Sequence, residues 1–169
     1  MLSECASYLG MLNDLRGQIA GLITELPAEA LNWRPIEGED DHVTNSLAVM
    51  VAHVTGAEHF WIYEVIGGQP ATRDRPAEFV TEVDGPELLL GKLEVVGEET
   101  SKILATLTAE DLDSTRQAHD RTVPVRWAIL HAIDHTALHL GHMQITYQLW
   151  FKGQAADSPR WYQRLNSEQ

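Results

Sequence analysis

The sequence predicts an all-α protein: a four-helix bundle whose helices are joined by long connecting loops. Three observations carry this. Apolar residues recur at helical spacing in four long segments. The stretches between those segments are rich in Pro, Gly and charge and have no periodicity. No run alternates between apolar and polar residues over a strand's length. Amphipathic helices must bury their apolar stripes against one another, and a bundle does so. At 169 residues and 44% apolar composition, the whole chain 1–169 is expected to form one domain with its own core.

The first helix is expected over about 2–26, where Leu2, Leu9, Leu12, Ile19, Leu22 or Ile23, and Leu26 form a stripe. Gly10, Gly17 and Gly21 interrupt it, each costing about 1 kcal/mol relative to Ala. They are read as places where a neighbouring helix approaches closely, and Pro27 ends the helix. A loop, LNWRPIEGEDDHVTN, follows. The second helix is expected over about 44–66, with Thr44 or Asn45 as N-cap and Leu47, Met50, Val54, Ala57, Trp61 and Val65 inward. Gly67 and Gly68 end it. QPATRDRPAEFVTEV reads as a second loop. The third helix is expected over about 85–107, with Asp84 and Glu87 as a capping box and a stripe of Leu89, Leu93, Val96, Thr100, Ile103 and Leu107. TAEDLD reads as a further short turn of helix. The fourth helix is expected over about 124–152, up to Gly153, and the tail after it as a loop with a terminal turn.

Twelve Lys plus Arg against 25 Asp plus Glu leave a net charge of −13. Such a field repels phosphate backbones and anionic lipid surfaces, so neither nucleic acid nor a membrane is an expected partner. No segment approaches the apolar length of a membrane span, and the N-terminus lacks the basic and apolar regions of a targeting signal. A cytoplasmic location is therefore expected. One cysteine, Cys5, excludes an internal disulfide framework; it reads as a buried small residue rather than a nucleophile.

Histidine is over-represented: eight residues, five in the last third of the chain. On a helical wheel His131, His135, His139 and His142 fall within an arc of about 80°. Trp127, Leu138, Ile145 and Leu149 share that side, so the arc is expected to face the core. Buried imidazoles need partners, and one metal ion satisfies several of them at once. Residues at i and i+4 stand one turn apart and can chelate one ion, whereas His131 and His142 are about 16 Å apart along the axis. The central pair, His135 and His139, is therefore the candidate. On the second helix His53 is the inward histidine, and a third imidazole donated across the bundle completes a three-histidine site with open positions. His59 points about 120° away from His53. His42 and His119 fall in loops and are read as surface residues. A bare HxxxH pair also suits ordinary core histidines bonded to carbonyls or water, and that alternative stays open. Asp134 reads as a helix-flank acid. Trp33, Trp61, Trp127, Tyr147 and Trp150 read as core packing. The far side of the fourth helix, with Leu130, Ile133, Leu140 and Tyr147, is expected to need cover, which points to a symmetric homodimer.

Three stretches together resemble the DinB-like superfamily of metal-binding four-helix bundles, which includes the YfiT-like proteins. LNWRPIEGEDD is similar to the family's loop after the first helix. SLAVMVAHVTGAEHFWI resembles its second helix, and RWAILHAIDHTALHLGHMQ its closing H-x-x-x-H-x-G signature. The resemblance implies metal ligands at His53, His135 and His139, with His131 and His142 outside the set. It implies a divalent ion, with Zn, Ni and Fe all suited to nitrogen donors, and a homodimer. It also implies a low-molecular-weight thiol such as mycothiol or bacillithiol as cofactor in an S-transferase or isomerase reaction on a small-molecule substrate; hydrolysis by the same metal is a related expectation. The alternative is a non-catalytic binding or structural module that a metal merely stabilises.

Overall fold

The computed structural model describes residues 1–36 and 44–154. His42, expected at the surface of a loop, and the tail after Gln154, expected as a loop with a terminal turn, lie outside these residues. The expected all-α bundle is present. Its four long members are α1 (Ser3–Ile23), α3 (Leu47–Glu58) with its π-helical continuation (His59–Ile66), α5 (Glu87–Thr106) and α7 (Val125–Trp150). Three short helices, α2 (Ala28–Asn32), α4 (Arg75–Glu78) and α6 (Ala109–Asp113), punctuate the connections. The turn expected in TAEDLD is α6, closed by a capping box between Thr108 and Asp111.

Helix starts differ from the sequence reading by one to three residues. Ser46, rather than Thr44 or Asn45, caps α3 by accepting from the Val49 amide at 3.2 Å. The Asp84–Glu87 capping box does not form. Pro86 is the N-cap of α5, so Glu87 is its first residue and cannot reach back as the third. Two further differences are additions. Thr115–Ala118 and Arg121–Pro124 pair as an antiparallel hairpin (β1 and β2) where no strand was expected; four residues are too few to display alternation. His119 takes the left-handed conformation (φ 53°) at its tip. The second helix does not remain α-helical to Ile66. From His59 onward its turns widen, as in the Gly67 amide bonded to the Ile62 carbonyl five residues back at 2.9 Å.

Helix α7 turns a different side inward from the one expected. Its buried residues are Val125, Ala128, Ile129, Ala132, Ile133, Thr136, Leu140, Met143 and Thr146. Trp127, Leu138, Ile145 and Leu149, read as core, are each about half exposed. Ala128, Ala132 and Thr136 explain the reversal. Small side chains let α7 lie close against α1, and close packing outweighs the larger apolar residues of the other stripe. Ile133 and Leu140 are thus covered within the chain. The glycines of α1 play no such part: a Cβ at Gly10, Gly17 or Gly21 would meet nothing within 4 Å.

Two apolar clusters fill the interior. One joins Ile23, Leu31, Leu47, Val51, Leu89 and Met143; the other joins Cys5, Leu12, Ile62, Leu104, Ile129 and Ala132. Cys5 is fully buried, as expected. Between α1, α3 and α5 lies a buried ion pair. Arg16 Nη1 donates to Glu58 Oε1, and Thr100 Oγ1 donates to the same oxygen at 2.6 Å. Burial pushes the Glu58 carboxyl up, against the opposing pull of Arg16 and Thr100. The pair connects three helices at one height of the bundle.

Candidate metal centre

Because α7 buries its alanine face, His135 and His139 sit at the margin of the core, half-buried. They face α3, which presents His53 from the other side of the groove. The three expected residues do come together. One nitrogen from each of His53, His135 and His139 can be chosen so that all lie within 4.8 Å of one another. Ring centroids are 4.9 Å apart for His53 and His135, 5.0 Å for His53 and His139, and 4.5 Å for His135 and His139. Among the described residues no further His, Cys, Asp or Glu joins the cluster. His131 and His142 flank it, at 5.8 Å from His135 and 5.5 Å from His139.

The orientation of His53 is fixed by a residue from the segment expected to be the second loop. Glu78, the last residue of α4, accepts from His53 Nδ1 at 2.9 Å through Oε2. Arg73 grips the same carboxylate, Nε to Oε1 at 2.6 Å and Nη2 to Oε2 at 2.9 Å. Burial alone would raise the Glu78 carboxyl, but the hydrogen bonds from His53 and Arg73 outweigh it and hold the group below its ordinary range. A carboxylate accepts only, so Nδ1 of His53 carries a proton, and Nε2 is the nitrogen turned towards the other two histidines. That Nε2 lies 3.1 Å from His135 Nε2. Gly56, one turn below His53, makes the carboxylate's approach feasible. A Cβ there would sit 2.1 Å from Glu78 Oε1 and 2.8 Å from its Cδ. Asp134 is exposed, as a helix-flank acid should be.

Two observations test whether this donor set fits a divalent ion. Three imidazoles are crowded with their nitrogens converging, and His135 Nδ1 and His139 Nδ1 are buried with no hydrogen-bond partner among the described residues. Burial first, then the neighbouring imidazoles, push His135 down to about 3 and His139 down to about 4. Both rings are therefore neutral at neutral pH and available as ligands. The donor set fits a borderline-soft divalent ion. The same shifts predict how the metal-free chain responds to acid. Unfolded imidazoles titrate near ~6.5. Between that value and about pH 4 the unfolded chain takes up protons that the folded chain refuses, so stability falls as pH falls through the window. The thermal midpoint of metal-free protein is expected to be lower at about pH 5 than at about pH 7, with a flatter dependence in His135→Gln. A midpoint that stays level between those two values would contradict the neutral, buried imidazoles.

The other histidines are elsewhere. His59, directed away from the triad as expected, bonds Glu99 Oε2 through Nδ1 at 2.7 Å and Thr72 Oγ1 through Nε2 at 2.9 Å. These groups line a cavity of about 690 Å³ between α3, α5 and the segment around α4, together with Thr55, Lys92 and Val96. Glu78 is a wall of this cavity, but none of the three clustered histidines is. His119 is exposed at the hairpin tip and stacks on Phe60 with centroids 4.9 Å apart. Glu78 and Arg73 are the site residues that sequence reasoning missed. Asp74 followed by Arg75-Pro76 is a helix-start signal, and Asp74 does cap α4 by accepting from the Ala77 amide at 3.1 Å. That signal marks the turn but not its contact with His53.

Comparison with known proteins agrees with this architecture. The chain is 26% identical over 164 residues to YkkA, an uncharacterised protein of Bacillus subtilis strain 168, covering 84% of this chain and 93% of that one. It is similar in fold to the crystal structure of a DinB-like protein, YjoA, from Bacillus subtilis, with a TM-score of 0.64 at 20% identity, covering 93% and 95% of the two chains. No helix among the described residues is long and apolar enough to cross a membrane. The model of the DinB superfamily matches residues 11–143, a span that contains all three clustered histidines together with Glu78, and the chain belongs to that superfamily.

Proposed function

We propose that the protein binds one divalent ion, Zn, Ni or Fe, through His53, His135 and His139, and is a metal-dependent enzyme of thiol-dependent S-transferase or hydrolase type. The observation that carries this reading is the three-nitrogen cluster with no fourth ligand among the described residues. A site held by three protein ligands keeps a position for an exchangeable molecule, whereas structural sites are closed. A bound ion there supplies Lewis acidity that lowers the pKa of a coordinated thiol or water towards neutrality. The chain's own residues do the rest. Glu78 and Arg73 hold the His53 ring, and the wall of α7 keeps His135 and His139 neutral. Cys5, fully buried, is no competitor as nucleophile.

The test pairs elemental analysis with a turnover assay. Metal-loaded protein is incubated with a panel of low-molecular-weight thiols and an electrophilic aromatic acceptor. Thiol consumption that requires the metal supports the reading. A metal that raises the melting temperature but yields no turnover with any thiol or ester would favour the stabilised, non-catalytic module instead.

We also propose that the protein is a C2 homodimer, on different grounds from those the sequence offered. Of the expected stripe Ile133 and Leu140 are covered within the chain and Leu130 is half exposed, and Leu138, Ile145 and Leu149 leave an apolar strip exposed on the histidine side of α7. Sedimentation equilibrium at micromolar concentration should report about twice the 18.9 kDa chain mass. A species that stays monomeric at tens of micromolar would rule this out.

A further inference from the structure

The histidine row continues beyond the triad in one direction as a set of aromatic rings. Trp127 and His131 stand two turns and one turn before His135 on α7, about 12 Å and 6 Å along the axis. The Trp127 indole and the His131 imidazole are stacked, 5° from parallel with centroids 4.9 Å apart. Trp61, from the π-helical stretch, stands edge-on to both, at 5.4 Å and 5.2 Å. His131 in turn lies 5.8 Å from His135. The rings thus form one surface that begins at a candidate ligand and runs away from it. Trp127 is 47% exposed even though it is the largest side chain on its face. Its flat side is presented by ring stacking on the histidine row rather than by packing in the core.

The wide turns of the π-helical stretch contribute to this surface. They place His59 against Glu99 and Thr72 while Trp61 reaches α7. In the other direction along α7 the row ends at the exposed His142, to which no ring of a second element is stacked among the described residues. The two ends of the row therefore differ: one stops at the exposed His142, the other is walled by two indoles. We infer that Trp61, Trp127 and His131 form a subsite for an aromatic ring of the substrate, carried about 6–12 Å from the polar head that binds at the triad. This rests on the metal-site reading above and specifies its substrate class: a molecule with a metal-binding head and a flat, uncharged or cationic ring. The electron-rich faces of the indoles and the net charge of −13 both disfavour an anionic ring.

The experiment uses two hydroxamates that share a metal-chelating head, phenylpropionohydroxamate and propionohydroxamate, titrated into zinc-loaded protein by calorimetry and by tryptophan fluorescence. The phenyl compound is expected to bind roughly tenfold or more tightly and to quench indole emission. Trp127→Ala, at an exposed position, is expected to abolish that advantage while metal content and the affinity for propionohydroxamate stay the same. Trp61→Leu is expected to reduce the advantage as well. Equal affinity for the two compounds, or an advantage that survives both substitutions, would overturn the subsite and leave the metal site standing. So would a Trp127→Ala protein that changes its sedimenting mass but not its discrimination, because the ring face would then belong to a second copy of the chain. Failure of the protein to take up zinc, nickel or iron, or of both hydroxamates to bind the loaded protein, would remove the metal reading and the subsite with it.

Discussion

Replacing His139 with Ala is expected to reduce bound metal from about one ion per chain to near zero after chelation and reloading. Three neutral imidazoles are a minimal set for a tight site, and two of them retain an ion weakly. The His139 Nδ1 is buried and has no hydrogen bond among the described residues. The substitution removes a half-buried ring at the margin of the core, so the helical circular dichroism of the variant should match that of the parent. Elemental analysis after size exclusion gives the answer directly. Full metal content in His139→Ala would show that the ion sits elsewhere.

The second large effect is expected at a residue that touches no ligand nitrogen. Gly56→Ala places a methyl group 2.1 Å from Glu78 Oε1, a separation that no pair of atoms tolerates. The flexible end of Glu78 gives way before the backbone of α3 does, and it leaves both His53 and Arg73 as it moves. The imidazole is then free to rotate and to exchange tautomers. Loss of such an outer partner typically weakens metal binding by roughly 10–100-fold. Competition against a chelator of known affinity measures the loss. Glu78→Gln should show a similar decrease without the steric push, since an amide neutralises the charge that fixes the Nδ1 proton. If Gly56→Ala bound metal as tightly as the parent while Glu78→Gln did not, the carboxylate would have found another route to His53.

The bundle and the three clustered histidines were legible in the sequence because they rest on periodicity. His135 and His139 are one turn apart whatever α7 packs against, and His53 follows from the stripe of its own helix. Which side of α7 faces inward was not legible by the same logic. Summed hydrophobicity favours Trp127, Leu138, Ile145 and Leu149, but contact distance favours Ala128, Ala132 and Thr136, and only the neighbouring helix decides between them. The error had a chemical consequence, because the true orientation leaves the histidines beside solvent rather than sealed within the core. Glu78 was hidden for a different reason. Its contact with His53 spans 25 residues and depends on where α4 lands, which no local pattern encodes. The π-helical stretch was missed because its apolar residues satisfy an α-helical stripe nearly as well.

The ion pair between Arg16 and Glu58 acts as an alignment key for the bundle. Helices with apolar stripes can slide past one another by a turn, about 5.4 Å, and still bury most of their surface. A slip of α3 by that distance would carry Glu58 away from both Arg16 and Thr100 and leave a bare carboxylate in the core, a cost of several kcal/mol. It would also carry His53, five residues earlier on the same helix, out of reach of His135. The two errors cannot be made separately. Any assembly that satisfies the buried charge has already set the height at which α3 offers His53 to the other two imidazoles.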